Sequence, residues 1–298
     1  MGLKVFASAS SFSSSKAKEE LLRHGIELVL NPFRRRLTED EISDSISEFD
    51  GLLAGLEPLN DKVLAKANKL KAIARIGVGT DNVDFEAARR LGIAVSNTPD
   101  GPTEAVAEMT ASALLSIIHN IVPSNSDIHN GIWKKRLGKS AGELCVLIIG
   151  YGRIGKKTAD LLLKLGCRVS VFDPFIKEYS ASALVDIVHK YDVISLHASG
   201  ENEILTRDII SKLKPGCIIL NSARGKLVNE EALFEALNSN QVSFFWGDAL
   251  WTEPYKGLLI GCPNAILTPH IATYTDKCRN DMEYQAVENL LRDMKIGR

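Results

Sequence analysis

Long apolar runs are missing from this 298-residue chain. None reaches the roughly 18 residues that a membrane-spanning helix needs, so no membrane association is expected. Charge of one sign is missing too. Thirty-six Lys and Arg oppose 37 Asp and Glu, a net charge of −1, and no global field draws the chain to nucleic acid or a lipid surface. Cysteine is sparse and unpatterned. Cys145, Cys167, Cys217, Cys262 and Cys278 are odd in number and contain no C-x-x-C pair. That argues against a disulfide framework and a zinc site, so no metal is expected, and free thiols point to a cytoplasmic protein. The opening residues MGLKVFASASSF are too short and too polar for a secretory signal. What is present is a soluble, globular composition with 45% hydrophobic residues, in a length that suits two domains.

The chain is organised around residues 144–173. Leu144 to Ile149 reads as a buried strand. Gly150, Gly152 and Gly155 follow at G-x-G-x-x-G spacing, and Ile154, Ala159, Leu162, Leu163 and Leu165 then recur at helical spacing. A β-branched run from Arg168 to Phe172 ends in Asp173. Strand, glycine turn, helix, strand and acid in that order make a dinucleotide-binding unit. Gly150 permits the tight turn, Gly152 lets the backbone approach a pyrophosphate, and Gly155 lets the helix pack close to the strand. The helix N-terminus turns its N–H groups to the phosphates. Asp173 is placed to accept bonds from the adenosine ribose hydroxyls. None of Pro174, Phe175 and Ile176 is basic, so NAD is favoured over NADP, whose 2′-phosphate that carboxylate would repel.

On either side the chain alternates strand and helix, which implies parallel sheets covered on both faces. Five short strands precede residue 98. Thr38 to Glu41 reads as a capping box. Arg34 to Arg36 reads either as a solvated turn or as a contact for an anion. One apolar helix is predicted from Pro102 to Ile121, then a polar, irregular stretch over 122–143 around Trp133. The closing helix is predicted over Thr275 to Met294. These boundaries give one domain from 1–97 plus 275–298 and a second from 98–274.

In doubly wound sheets, ligands sit outside the carboxyl ends of the strands. Three residues just past predicted strands make a chemical set. Arg224 can grip a carboxylate by two parallel bonds and steady a carbonyl oxygen. His270 can deliver or remove the proton on that oxygen, and Glu253 can orient the imidazole. His197 ends another strand on the cofactor side. Trp251 reads either as a pocket wall or as packing under the Glu253 loop.

These motifs resemble the D-2-hydroxyacid dehydrogenase family, and within it the phosphoglycerate dehydrogenase branch. The resemblance rests on ARIGVGTDNVD (74–84), NTPDGPTEAVAE (97–108), GYGRIG (150–155), LNSARGKLVNEEAL (220–233), TEP (252–254) and TPHIA (268–272). It implies an α/β fold of two doubly wound parallel-sheet lobes, a Rossmann-like NAD domain inserted in a flavodoxin-like substrate domain, with a cleft between them. It implies catalysis by Arg224, Glu253 and His270. It implies NAD contacts from Val78, Thr103, Gly150, Tyr151, Gly152, Arg153, Ile154, Gly155, Asp173, Pro174, His197, Ala198, Ser222, Ala223, Asp248, His270 and Ala272. Substrate contacts would come from Ala54, Gly55, Arg75, Gly77, Val78, Gly79 and Arg224. The substrate would be a small 2-hydroxy or 2-oxo acid, and the assembly a homodimer.

Several departures mark this chain within that family. Residues 173–192 are short. The family's H-x-P is His197-Ala198-Ser199 here, and Asp248-Ala249-Leu250 replaces D-V-F. In LLAGLEPLN (52–60) the charged residue is Glu57, where phosphoglycerate dehydrogenases often place an Arg for the phosphate; Arg75 matches a substrate-side Arg of that branch. A phosphate substrate stays open but weakened. The competing reading is a non-catalytic NAD(H)-binding redox sensor or scaffold, which has no chemical need for Arg224, Glu253 and His270 together. A formate-type enzyme usually carries an amide where Glu253 stands.

Overall fold

The computed structural model describes residues 2–180, 183–200 and 202–296. They fall into two compact units, Met1–Pro102 with Tyr274–Arg298, and Thr103–Thr273.

In the first unit β1 (Lys4–Ala7), α1 (Ser15–Arg23), β2 (Glu27–Leu30), α2 (Glu39–Ser45), β3 (Gly51–Ala54), α3 (Asp61–Leu64), β4 (Ala72–Arg75), α4 (Phe85–Arg90) and β5 (Ala94–Asn97) alternate along the chain. The sheet order is β2-β1-β3-β4-β5, all parallel. This is the flavodoxin-like order, and its switch point lies between β1 and β3. The central strands β3 and β4 are buried throughout, as their apolar sequences GLLA and AIAR require once both faces are covered. Ile42, Ile46, Leu52, Val63, Ile73 and Ala88 meet in one core on one face. The capping box at Thr38 forms as predicted, with the Thr38 hydroxyl accepting from Glu41 N–H and the Glu41 carboxylate accepting from Thr38 N–H.

The second unit opens with α5 (Pro102–Ile118) and α6 (Ile121–His129). The helix predicted to Ile121 ends at Ile118, and of the stretch predicted irregular over 122–143, residues 122–129 are helical while 130–140 carry neither helix nor strand. Asn120 is left-handed (φ 54°), its side chain donates to Leu137 O, and α6 then begins, bent 59° from α5. Asn tolerates that conformation, and Pro123 falls in the first turn of α6, where no N–H is needed. Among the described residues no single helix is long and apolar enough to cross a membrane. Next come β6 (Cys145–Ile149), α7 (Arg153–Lys164), β7 (Arg168–Phe172), α8 (Leu184–Ile187), β8 (Val193–Leu196), α9 (Arg207–Ser211), β9 (Cys217–Asn221), α10 (Glu230–Asn238), β10 (Val242–Gly247) and β11 (Ala265–Leu267). Their order is β11-β10-β9-β8-β6-β7, again all parallel, with the switch point at β6. Apolar clusters cover both faces. On α7 the buried side is Gly155, Thr158, Ala159 and Leu162, whereas Leu163 and Leu165 face outward.

The last helix, α11 (Asp276–Asp293), returns to the first unit and packs on α1 and on β3, β4 and β5. Thr275 caps it.

Candidate active site

Because the strands of the second sheet are parallel, the turns after β6, β7, β8, β9, β10 and β11 share one edge. The turn after β6 is forced by sterics. Gly150 has φ 89°, and a Cβ there would lie 2.6 Å from Ala198 N. A Cβ on Gly155 would lie 2.0 Å from Gly150 O, so only glycine lets α7 start this close to the strand end. Gly152 differs: a Cβ there would meet nothing within 4 Å. No protein atom demands glycine there, and the open backbone fits the approach of a pyrophosphate. Arg153 and Ile154 form the first turn of α7.

Asp173 ends β7, nearly buried. One carboxylate oxygen accepts Tyr151 N–H at 2.8 Å and the other Phe175 N–H at 3.0 Å. Each oxygen keeps a lone pair, so the acid is fixed in place and still able to accept ribose hydroxyls. Pro174, beside it, is exposed. These residues fit NAD. Among the described residues the short segment after Asp173 carries two 3₁₀ turns, Lys177–Tyr179 and Val188–Lys190, and α8 between them; residues 181 and 182 lie outside the described residues.

His197 follows β8, with Ala198 beside the glycine turn. Its Nε2 is 2.8 Å from Ser195 Oγ and its Nδ1 3.4 Å from Ser222 Oγ. Burial pushes its pKa down to about 3, so the ring is neutral and ties β8 to the turn after β9. In that turn Asn221 accepts from Ala223 N–H and donates to Arg224 O. Arg224 is half-buried, with Nη1 donating to Ala223 O at 2.8 Å.

The turn after β11 carries His270. Its Nδ1 is 2.8 Å from Glu253 Oε1, and both side chains are 30% exposed, so the pair is reachable from solvent. His270 is left-handed, with φ 54°. Asp248 holds it there: its carbonyl accepts His270 N–H at 2.9 Å, and its carboxylate accepts Ile271 N–H, Ala272 N–H and the Thr268 hydroxyl. Asp248 is 1% exposed, so a loop-clamping role is visible in addition to the cofactor contact expected of it and of Ala272. Trp251 packs under its loop, with Nε1 donating to Val228 O. Thr103 lies in the first turn of α5.

In the first unit Ala54 and Gly55 close β3, and Ala54 is fully buried. Gly77 N–H already donates to the Thr98 hydroxyl at 2.7 Å, so it is not a spare donor for a substrate. Val78 N–H and Gly79 N–H have no acceptor among the described residues. Arg75, buried at the end of β4, hydrogen-bonds to Ile76 O through Nη1. Glu57, the charged residue of the loop after β3, is buried. It is 1% exposed, and its Oε1 accepts from Ser8 Oγ and from Gly55 N–H. Ser8 follows β1 and Glu57 follows β3, so this carboxylate bridges the switch point of the sheet. Among the described residues no group of three or more His, Cys, Asp or Glu is placed to hold a metal ion.

Residues 111–272 match the family model for the D-isomer specific 2-hydroxyacid dehydrogenase, NAD binding domain. The chain belongs to that family. The D-3-phosphoglycerate dehydrogenase of Synechocystis sp. is 30% identical over 275 residues, 88% of this chain and 50% of that protein. The hydroxypyruvate reductase of Thermotoga maritima is 30% identical over 279 residues, 87% of this chain and 90% of that protein. The chain thus spans about half the length of the first relative and nearly all of the second. A crystal structure of the TT0316 protein from Thermus thermophilus superposes with TM-score 0.89 at 33% identity, covering 98% of this chain and 97% of that one. As a family member the chain has NAD as its cofactor, and its two parallel-sheet lobes are the family's fold.

Proposed function

We propose that this dehydrogenase-family chain interconverts a small, unphosphorylated 2-oxo acid and its D-2-hydroxy acid. The observation that carries the reading is the 2.8 Å contact between His270 and Glu253 on the same sheet edge as the glycine turn and Asp173. NAD, when bound, supplies the two-electron exchange at C2. Arg224 docks the carboxylate and polarises the carbonyl oxygen. Glu253 occupies Nδ1 of His270, which leaves Nε2 as the atom that gives or takes the oxygen's proton. In the first unit, the N–H groups of Val78 and Gly79 are proposed as donors to an anionic group. Gly77, already bonded to Thr98, serves by shaping the turn.

The substrate class rests on Glu57. Ligands of a flavodoxin-like sheet gather at its switch point, and there this chain carries a buried carboxylate. A second anionic group on the substrate would meet like charge, whereas a hydroxyl would find an acceptor. Arg75 and the likeness to D-3-phosphoglycerate dehydrogenase favour a phosphate. The test is absorbance of NADH with hydroxypyruvate, glyoxylate, pyruvate and 3-phosphohydroxypyruvate. The expected kcat/KM for an unphosphorylated acid is at least ~10-fold above the phosphorylated one, and Glu57→Gln narrows the gap. Preference for the phosphorylated acid would overturn the substrate class; NADH binding without turnover of any acid would overturn the activity.

We propose a homodimer as well. Ile121, Val122, Ile128, Ile132, Trp133 and Leu137 form an exposed apolar stretch, Trp133 at 84% and Leu137 at 100%. A second copy is the partner that would bury it. A cytoplasmic location is proposed on the five cysteines, all of them free thiols.

A further inference from the structure

Glu253 sits in a long connection between β10 and β11 with no regular structure, where neither a helix nor a strand fixes it. Thr252, Pro254 and Lys256 around it are exposed. The segment is nevertheless pinned two residues to either side. On the near side, Trp251 Nε1 donates to Val228 O at 2.8 Å, and its ring lies between those of Phe245 and Tyr255, 6.0 Å from each by centroid. On the far side, Tyr255 O–H donates to Glu230 Oε1 at 2.6 Å and accepts Leu259 N–H at 3.0 Å. Glu230 Oε1 accepts Leu258 N–H as well.

Both pins end on one platform, the stretch from Val228 to the first turn of α10, just past Arg224. The contact is close enough to exclude even a methyl group. A Cβ on Gly225 would lie 2.3 Å from Trp251 N and 2.4 Å from Leu250 C. Arg224 and the Glu253 loop therefore share a frame. Burial, and after it the Glu230 carboxylate, raises the Tyr255 pKa, so the phenol stays a neutral donor through the physiological range.

We propose that Tyr255, Trp251 and Glu230 are positioning residues, which act by holding Glu253 against Nδ1 of His270. The inference rests on the reading of Glu253 and His270 as the acid–base pair. A loop carboxylate freed from these pins loses its fixed geometry, and loose support for a catalytic group costs rate rather than binding.

The test is Tyr255→Phe in the full chain, which removes the hydroxyl and keeps the ring. The expected kcat falls about 10-fold, while KM for the 2-oxo acid and the NADH dissociation constant from fluorescence stay within about twofold. In a Glu253→Gln background the same change has little further effect, because residues that act through one another are not additive. Glu230→Gln keeps the acceptor oxygen and retains at least about half of kcat, whereas Glu230→Ala reproduces the loss. The Glu230 pair also carries the test if Tyr255→Phe fails to fold. Wild-type kcat in both Tyr255→Phe and Glu230→Ala, full additivity with Glu253→Gln, or an equal loss of NADH binding would each overturn the proposal. A Glu253→Gln variant with wild-type kcat would instead show that the acid–base reading fails, and the positioning role with it.

Discussion

At His270 a left-handed backbone occurs in a residue that is not glycine, a conformation that costs roughly 1–3 kcal/mol when the surroundings do not support it. Asp248 supports it through its carbonyl and through bonds to the next two N–H groups. Backbone and side chain of His270 are thus fixed by different partners, Asp248 and Glu253. His270→Ala removes only the second of these links. We expect kcat to fall about 10²–10⁴-fold while NADH affinity, read by fluorescence, stays within about twofold. His197 predicts a different effect. Its folded pKa is about 3, below the ordinary value, so on acidification the unfolded chain takes up a proton that the folded chain refuses. Stability present above about pH 6.5 is lost as the pH falls toward 3, by up to about 1.4 kcal/mol per pH unit. Melting temperatures from pH 7 to 5 should drop more steeply for the wild type than for His197→Asn. Arg224, Glu253 and His270 were legible in the sequence because each follows a strand by a few residues. Glu57 was legible only as the charged residue of its loop, without its burial, and Tyr255 was not legible. Their partners, Ser8 and Glu230, are 49 and 25 residues away, and only the folded sheet brings them together.

The turn between β6 and α7 separates what the fold needs from what the ligand needs. Gly155→Ala drives a methyl into Gly150 O and should lower both the melting temperature and NADH affinity. Gly152→Ala meets no protein atom. It should melt within about a degree of the wild type, yet bind NADH at least ~10-fold more weakly. Equal behaviour of the two variants in a melt and a titration would remove the distinction. Elements of this kind, a strand feeding a glycine turn and a helix, are read from the chain because their signals are local. The break between α5 and α6 was missed for the opposite reason. Asn120 is unremarkable within an apolar run, and the carbonyl that holds it, Leu137 O, arrives 17 residues later.

For the whole molecule, the alternation of strands and helices revealed two parallel sheets, whereas the order of the strands needed the coordinates. So did the outward face of α6 and the segment after it, which the sequence presented as a polar stretch around Trp133. If that face is the homodimer contact, replacing Trp133 and Leu137 together by Lys should give a monomer in analytical ultracentrifugation that still binds NADH. An unchanged sedimentation coefficient would move the interface elsewhere. Finally, α11 closes a unit that the chain began nearly three hundred residues earlier. Glu283, fully buried on α11, accepts the N–H groups of Ser13 and Ser14, 270 and 269 residues before it. During synthesis the first five strands leave the ribosome long before that carboxylate exists. The second unit, continuous from Thr103 to Thr273, can fold to completion while the first waits unfinished. The earlier-made part of the first unit is therefore sealed only when α11 arrives.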